Sequence, residues 1–287
     1  MNNRVQPTDD IAQAKEDIAR HGFALFAGAL NDAETREVRE RLLRAADLSE
    51  KRGIPTTGYV FDPDDKNRRV FDLFNLDPIF IDLIRRPLAL EFVRHVIGDS
   101  FLISNFSANI TAPGNQPMQL HADQGYVLPP WPQMPLACNV AWLLDDFTVQ
   151  NGGTCYVPGS HLKGHGPDPN KTYETVPIEA PAGSILIMEG RLWHQTGANT
   201  TSDQTRAALF GYYVLRWLRP QINWNATLTA ETVASADEEF LHMLGFYSGN
   251  VEFQIPAGDD APVTAPTSLV GDLATFALGN ASDAGND

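Results

Sequence analysis

The chain has 287 residues, of which 43% are hydrophobic and 20% charged; this supports a sizeable buried core and excludes a disordered or fibrous protein. Lys and Arg number 21 against 36 Asp and Glu, a net charge of −15 without a cationic stripe, which argues against nucleic acid and anionic membrane surfaces as partners. No apolar run approaches the ~18 residues of a bilayer span. The polar N-terminus lacks a signal-like apolar region, and Cys138 and Cys155 are too few for a disulfide framework, so a reduced, cytoplasmic location is expected.

In chain order, Thr8-Asp9-Asp10 supplies capping residues for a helix on which Ile11, Ala14 and Ile18 share a face, and Gly22 stops it. Asn31 with Glu34 three positions later predicts a capping box, followed by Leu42, Leu43 and Ala46 at core spacing. Residues 53–67, rich in Gly, Pro and Asp, read as a loop, and 87–98 as a third helix with Pro87 in its first turn. From Phe101 the period changes. Segments 101–104, 138–144, 154–157, 184–188 and 207–215 have strand composition and are separated by turn residues, the pattern of a sandwich or barrel. Asn151-Gly152-Gly153 predicts a tight hairpin. The expected fold is mainly β with flanking helices in a single domain: a helical flank over 1–100, a core over 101–218, an extension over 219–254 with a helix at 236–244, and a flexible tail over 255–287.

His121-Ala122-Asp123 places an imidazole and a carboxylate two residues apart, so that on an extended segment both project to one face and can reach one metal ion. A second, distant histidine would complete a set of two His and one carboxylate, which leaves the opposite face of an octahedral Fe(II) open. Alone, His-x-Asp arises often by chance, as a surface histidine beside a capping aspartate. His194 follows the 184–188 strand, and Arg206 opens an apolar strand twelve residues later. An inward, isolated guanidinium is costly and calls for a carboxylate partner. Its planar fork suits a bidentate clamp on a small dicarboxylate such as 2-oxoglutarate.

His121-x-Asp123, the stretch 145–154 (DDFTVQNGGT), Val157-Pro158-Gly159-Ser160-His161, Trp193-His194 and Arg206 together resemble the phytanoyl-CoA dioxygenase family of Fe(II)/2-oxoglutarate oxygenases, over about residues 20–218. His121-Ala122-Asp123-Gln124-Gly125 and the 131–142 region resemble its natural-product tailoring members. The resemblance implies a double-stranded β-helix (jelly-roll, cupin-like) barrel. It implies Fe(II) on His121, Asp123 and His194, Arg206 on the distal carboxylate of 2-oxoglutarate, O2 as second cosubstrate, and Gln119 and Thr154 as further cosubstrate contacts. Halogenating relatives replace the carboxylate with a small residue; Asp123 therefore favours oxidation of a C–H bond. Hydroxylation is the default outcome, with desaturation, epoxidation and endoperoxidation sharing the same ligands. Acyl-CoA is not carried over, because no cluster of cations awaits the CoA phosphates.

Candidate substrate contacts are Tyr126, just past the metal motif, Asn109, and Asn75 on a lid over the pocket or as a helix cap. The aromatic residues around the motifs suggest an apolar or aromatic metabolite, although Trp142 and Trp193 read as core. His161 reads as a turn residue bonded to local backbone, and the two cysteines as small buried hydrophobes. The small-molecule substrate is the expected partner, and the helices outside the barrel with the segment after Pro220 offer a homodimer surface. A cupin-like metalloenzyme (lyase, isomerase or dioxygenase) that does not use 2-oxoglutarate is the competing reading.

Overall fold

A computed structural model of the chain describes residues 4–246, so the tail expected over 255–287 lies outside the described residues. The helices begin where the sequence caps them. In α1 (Ile11–His21) the Asp10 carboxylate accepts from the amides of Ala12 and Gln13, and the helix ends at Gly22. α2 (Asp32–Lys51) opens on a complete capping box of Asn31 and Glu34. α3 (Ile79–Ile84) and α4 (Pro87–Ile97) follow, the latter with its proline in the first turn. Three short helices, α5 (Trp224–Thr227), α6 (Ala230–Ser235) and α7 (Glu238–Met243), lie in the extension; the last matches the helix expected there.

The strands among the described residues are β1 (Phe23–Phe26), β2 (Asn67–Val70), β3 (Phe101–Thr111), β4 (Ala137–Leu143), β5 (Thr154–Tyr156), β6 (Val176–Pro177), β7 (Ile185–Glu189), β8 (His194–Thr196) and β9 (Arg206–Leu215). They form a six-stranded sheet in the order β1-β7-β4-β9-β3-β2 and a three-stranded sheet β6-β5-β8. All ladders are antiparallel.

The first hundred residues are mainly helical, as expected, but they also supply β1 and β2, the two edges of the large sheet, which the sequence did not reveal. FALF is buried at every position and NRRV carries two arginines, so neither four-residue segment shows an alternating pattern. Nor does Asn151-Gly152-Gly153 make a hairpin: β4 and β5 lie in different sheets, and the chain crosses between them there. The local turn chemistry is real, since the Asn151 side chain accepts from Thr148 N and donates to Asp146 O.

Both faces of the large sheet are covered, which explains why β4 and β9 read as nearly continuous apolar runs. On one face Cys138, Val140, Trp142, Ala207, Leu209 and Tyr213 pack against helix residues such as Leu42, Leu90 and Phe92. On the other, Ala141, Leu143, Leu186 and Ala208 meet Phe147, Tyr156 and Ile178 from the small sheet and its approaches. By the two-residue period, Asn139, Arg206, Phe210 and Tyr212 share this second face. That face carries the chemistry.

The large sheet is tied to α2 at Gly183, where Leu30 N donates to Gly183 O at 2.9 Å and Gly183 N donates to Leu143 O at 2.8 Å. Its φ is +80°, and an added Cβ would sit 2.5 Å from Leu30 O. Gly183→Ala should lower stability by about 1–3 kcal/mol, seen as a lower urea midpoint at unchanged m value.

Candidate metal centre

His121 and His194 come from distant parts of the chain and are held together by backbone. His121 N donates to His194 O at 3.0 Å, His194 N donates to His121 O at 2.8 Å, and the ring centroids lie 4.5 Å apart. Each ring sits over its own upstream carbonyl: His121 Nδ1 is 3.0 Å from Gln119 O, and His194 Nδ1 is 3.0 Å from Leu192 O. A carbonyl only accepts, so both Nδ1 atoms carry the proton and both Nε2 atoms present lone pairs. Asp123 Oδ1 lies 3.8 Å from each Nε2. That gap is just under twice a ~2.0–2.2 Å metal–ligand bond. The three ligand atoms all fall within 4.8 Å of one another, and no other such cluster occurs among the described residues. About a third of the His121 side chain still reaches solvent. Even so, burial of the ring, with His194 beside it, pushes its pKa down to about 4. The imidazole is therefore neutral and able to ligate at neutral pH.

The carboxylate is oriented from behind. Asn139 Nδ2 donates to Asp123 Oδ2 at 2.9 Å, and Tyr212 OH donates to Asp123 O at 2.9 Å. Gln124 fastens the same segment, its backbone N–H donating to Gly190 O at 2.7 Å and its Oε1 accepting from Leu136 N at 2.8 Å. Such partners fix the rotamer of a ligand and tune its basicity. Beside them Arg191 forms a buried fork with Glu189 and donates to the carbonyls of Pro132 and Gln133, tying down the loop after the motif.

The three groups open into a cavity of about 140 Å³ whose walls include Thr154, Asn109, Asn105, Met118 and Phe210. A hollow of about 330 Å³ near Arg4, Phe23 and Tyr156 is larger, but holds no metal-ligating set among the described residues. Arg69 also faces the metal-centre cavity, with its charge matched by a two-pronged bond to Asp62 at 2.7 and 2.8 Å.

Arg206 is wholly buried and is not itself part of the cavity wall, but it lies on the same sheet face as Phe210 and Tyr212, which are. Its guanidinium stacks 4.7 Å from the Phe147 ring, and Nη2 donates to Gly152 O at 2.6 Å, but Nε and Nη1 have no partner. Asp145, the nearest carboxylate to act on it, is engaged by Arg39 and Ala207 N. Burial above all, and then the charge of Arg69, pull its pKa down to about 9. The carboxylate required by an isolated buried cation is thus not supplied by the protein.

The remaining sequence candidates separate. Thr154 and Asn109 lie on the cavity wall, with Asn109 Nδ2 donating to Thr196 Oγ1 at 3.3 Å. Tyr126 is half-exposed, its hydroxyl 3.3 Å from that of Tyr212. Gln119 is exposed and serves His121 through its carbonyl. Asn75 is no lid residue: its amide donates to Asp72 and Thr227 O and accepts from Thr229 N and Thr232 Oγ1, pinning the turn after β2 to α6. A lid and a cap have the same local sequence, which is why the two could not be told apart. His161 is buried in its turn, but both ring nitrogens lack partners, so the expected backbone bond is not made. Trp142 and Trp193 are sealed in cores, as expected. Cys138 is buried and Cys155 half-buried, both free. Among the described residues no helix is long and apolar enough to cross a membrane.

Sequence reasoning missed Asn139, Tyr212 and Asn105. Each is a polar residue inside an apolar strand; the two-residue period shared by Arg206 and Tyr212 within one strand was a partial signal for Tyr212, and Asn139 and Asn105 join that face only through strand register.

Comparison with known proteins agrees with this arrangement. The sequence profile of the family described as phytanoyl-CoA dioxygenase matches residues 18–208. Dioxygenase af480 of Aspergillus fumigatus is 40% identical over 240 residues, covering 83% of this chain and 77% of the relative. The non-haem alpha-ketoglutarate-dependent carbocyclase SnoK of nogalamycin biosynthesis matches with a TM-score of 0.62 at 19% identity, over 76% of this chain and 92% of its own. The epimerase SnoN, solved with ferric iron, alpha-ketoglutarate and nogalamycin RO, gives 0.58 at 20% identity, over 79% and 91%. These structures share the fold: mainly antiparallel β-sheet with flanking helices.

Asn75→Ala should cost about 1–3 kcal/mol of stability by stranding buried partners. Cobalt(II) uptake, followed by its visible absorption, should not change.

Proposed function

Because the chain belongs to the phytanoyl-CoA dioxygenase family, we propose that it is an Fe(II)- and 2-oxoglutarate-dependent dioxygenase of natural-product metabolism, with iron on His121, Asp123 and His194 and the cosubstrate anchored by Arg206. One observation carries the reading: three converging ligand atoms open on a cavity walled by Phe210 and Tyr212, and a buried guanidinium with donors to spare sits on the same strand face as those two residues. The donor set fits iron, since two neutral imidazoles and one carboxylate are the ligand types of the facial triad. The two sheets are proposed as the halves of a double-stranded β-helix. The domain is single, with its barrel core over 101–218.

Bound Fe(II), with 2-oxoglutarate and O2, supplies the oxidising power to break an unactivated C–H bond, with release of succinate and CO2. The chain's own residues prepare the site for that chemistry. The carbonyls of Gln119 and Leu192 hold both imidazoles with Nε2 forward. Asn139 occupies Asp123 Oδ2 and leaves Oδ1 for the centre. Arg206 offers its unpartnered Nε and Nη1 groups as charge-assisted donors to the far carboxylate of the diacid, in a site away from water. Thr154, and Gln119 at the surface, are the further cosubstrate contacts. Phe210 and Met118 wall the cavity and keep water from the reacting carbon, Asn109 on the same wall is a substrate-side contact, and Tyr126, half-exposed beside Tyr212, is the other. Hydroxylation of a small metabolite with an apolar or aromatic body is the default reaction, and Asp123 leaves no ligand position for a halide.

Anaerobic addition of Fe(II) and 2-oxoglutarate should give a weak visible charge-transfer band, and candidate substrates should stimulate succinate release. Losing an outer partner of a ligand costs about 10–100-fold in metal affinity. His194→Ala, which removes a ligand, should cost at least as much by metal analysis. No band in metal-loaded protein, or turnover without 2-oxoglutarate, would favour the cupin-like alternative.

A further inference from the structure

The cavity wall opposite the cosubstrate end is built from amides where an apolar residue would be the default. Asn105 on β3 pairs in register with Tyr212 on β9, and Tyr212 with Asn139 on β4. These three side chains form one cross-strand row on the cavity face. Asn105 Nδ2 donates to Gln221 Oε1 at 3.1 Å, and Asn139 Nδ2 to Asp123. Both Oδ1 atoms are buried without a partner. The orientation of Asn139 is compelled, because only its NH2 group can face a carboxylate. Its carbonyl oxygen, on a residue only 7% exposed, therefore looks for a donor that the protein does not provide. A buried acceptor left open costs free energy unless a ligand fills it.

The cosubstrate cannot be that ligand. Arg206 is opposite Thr111, and Asn105 is six residues further along β3. 2-Oxoglutarate is a dianion at neutral pH and carries no N–H or O–H to give to an open Oδ1.

We propose that the Asn105–Tyr212–Asn139 row recognises the substrate through hydroxyl or N–H donors, so that the molecule oxidised is an oxygenated or N–H-bearing metabolite and not a bare hydrocarbon skeleton. This rests on the dioxygenase reading and adds a substrate class to it. Phe210 and Met118 leave room for an apolar body beside that polar edge. The aromatic indoles of Trp142 and Trp193, sealed in cores, contribute nothing to it.

The test uses protein loaded anaerobically with Fe(II) and 2-oxoglutarate, and two probes, resorcinol and phloroglucinol, against their fully O-methylated ethers, with binding followed by saturation-transfer NMR. The phenols should bind about ten- to a hundredfold more tightly than the ethers. Asn105→Leu, which removes one of the two open oxygens and the bond to Gln221, should fold normally and weaken that preference. Titration of 2-oxoglutarate in the same samples should be unchanged by the substitution, and it reports on the dioxygenase reading independently. Equal affinity of the two series, no binding of the phenols, or a preference undiminished by Asn105→Leu overturns the proposal.

Discussion

A fully buried positive charge with two donors unspent is the constraint around which the site is organised. Water solvates a guanidinium generously, and a protein that buries one must replace that solvation. Here the replacement is partial: Gly152 O, the Phe147 ring and a carboxylate already shared with Arg39. Lost stability of this kind is tolerated where a ligand restores the balance. On the proposed reading the ligand is a dicarboxylate, and the charge of Arg206 selects it over the many neutral molecules that would fit the same hollow.

The sheet makes this possible because its two faces do different work. One set of alternate residues on β4 and β9 packs against the helices, and the other set faces the cavity. Strand geometry thus places Arg206, Phe210, Tyr212 and Asn139 on one surface without any loop being asked to position them. The metal-ligand candidates reach that surface from a neighbouring bridge, where the His121 and His194 backbones bond each other reciprocally. Two histidines 73 residues apart are therefore as closely fixed as neighbours on a strand. Asn139 links the two parts, since it belongs to the sheet and holds the carboxylate of Asp123.

Much of this was legible in the chain because the signals were local or costly. The capping residues of α1 and α2 and the proline of α4 each act within a few positions, and the i, i+2 spacing of His121 and Asp123 needs only an extended backbone. Arg206 stood out because a charge opening an apolar strand demands an explanation. What escaped depended on distant partners. β1 and β2 are strands only because β7 and β3 lie beside them, and the turn at Asn151-Gly152-Gly153 looks the same whether the chain folds back or crosses to another sheet. Asn75 reads equally as a lid residue or a helix cap, because the bonds that fix its amide come from Thr229 and Thr232, over 150 positions later. The polar row of Asn105, Tyr212 and Asn139 was hidden inside apolar runs that say nothing of which residue faces a cavity.

The most direct measurement of the central claim is calorimetric titration of metal-loaded protein, without oxygen, with 2-oxoglutarate and with 2-oxovalerate, which keeps the chelating end and lacks the distal carboxylate. If Arg206 waits for that carboxylate, the monoacid should bind about a hundredfold or more weakly, in line with the ~2–5 kcal/mol lost when a buried charge pair is broken. Comparable affinity for the two acids would contradict the account, because the guanidinium would then be meeting some other need.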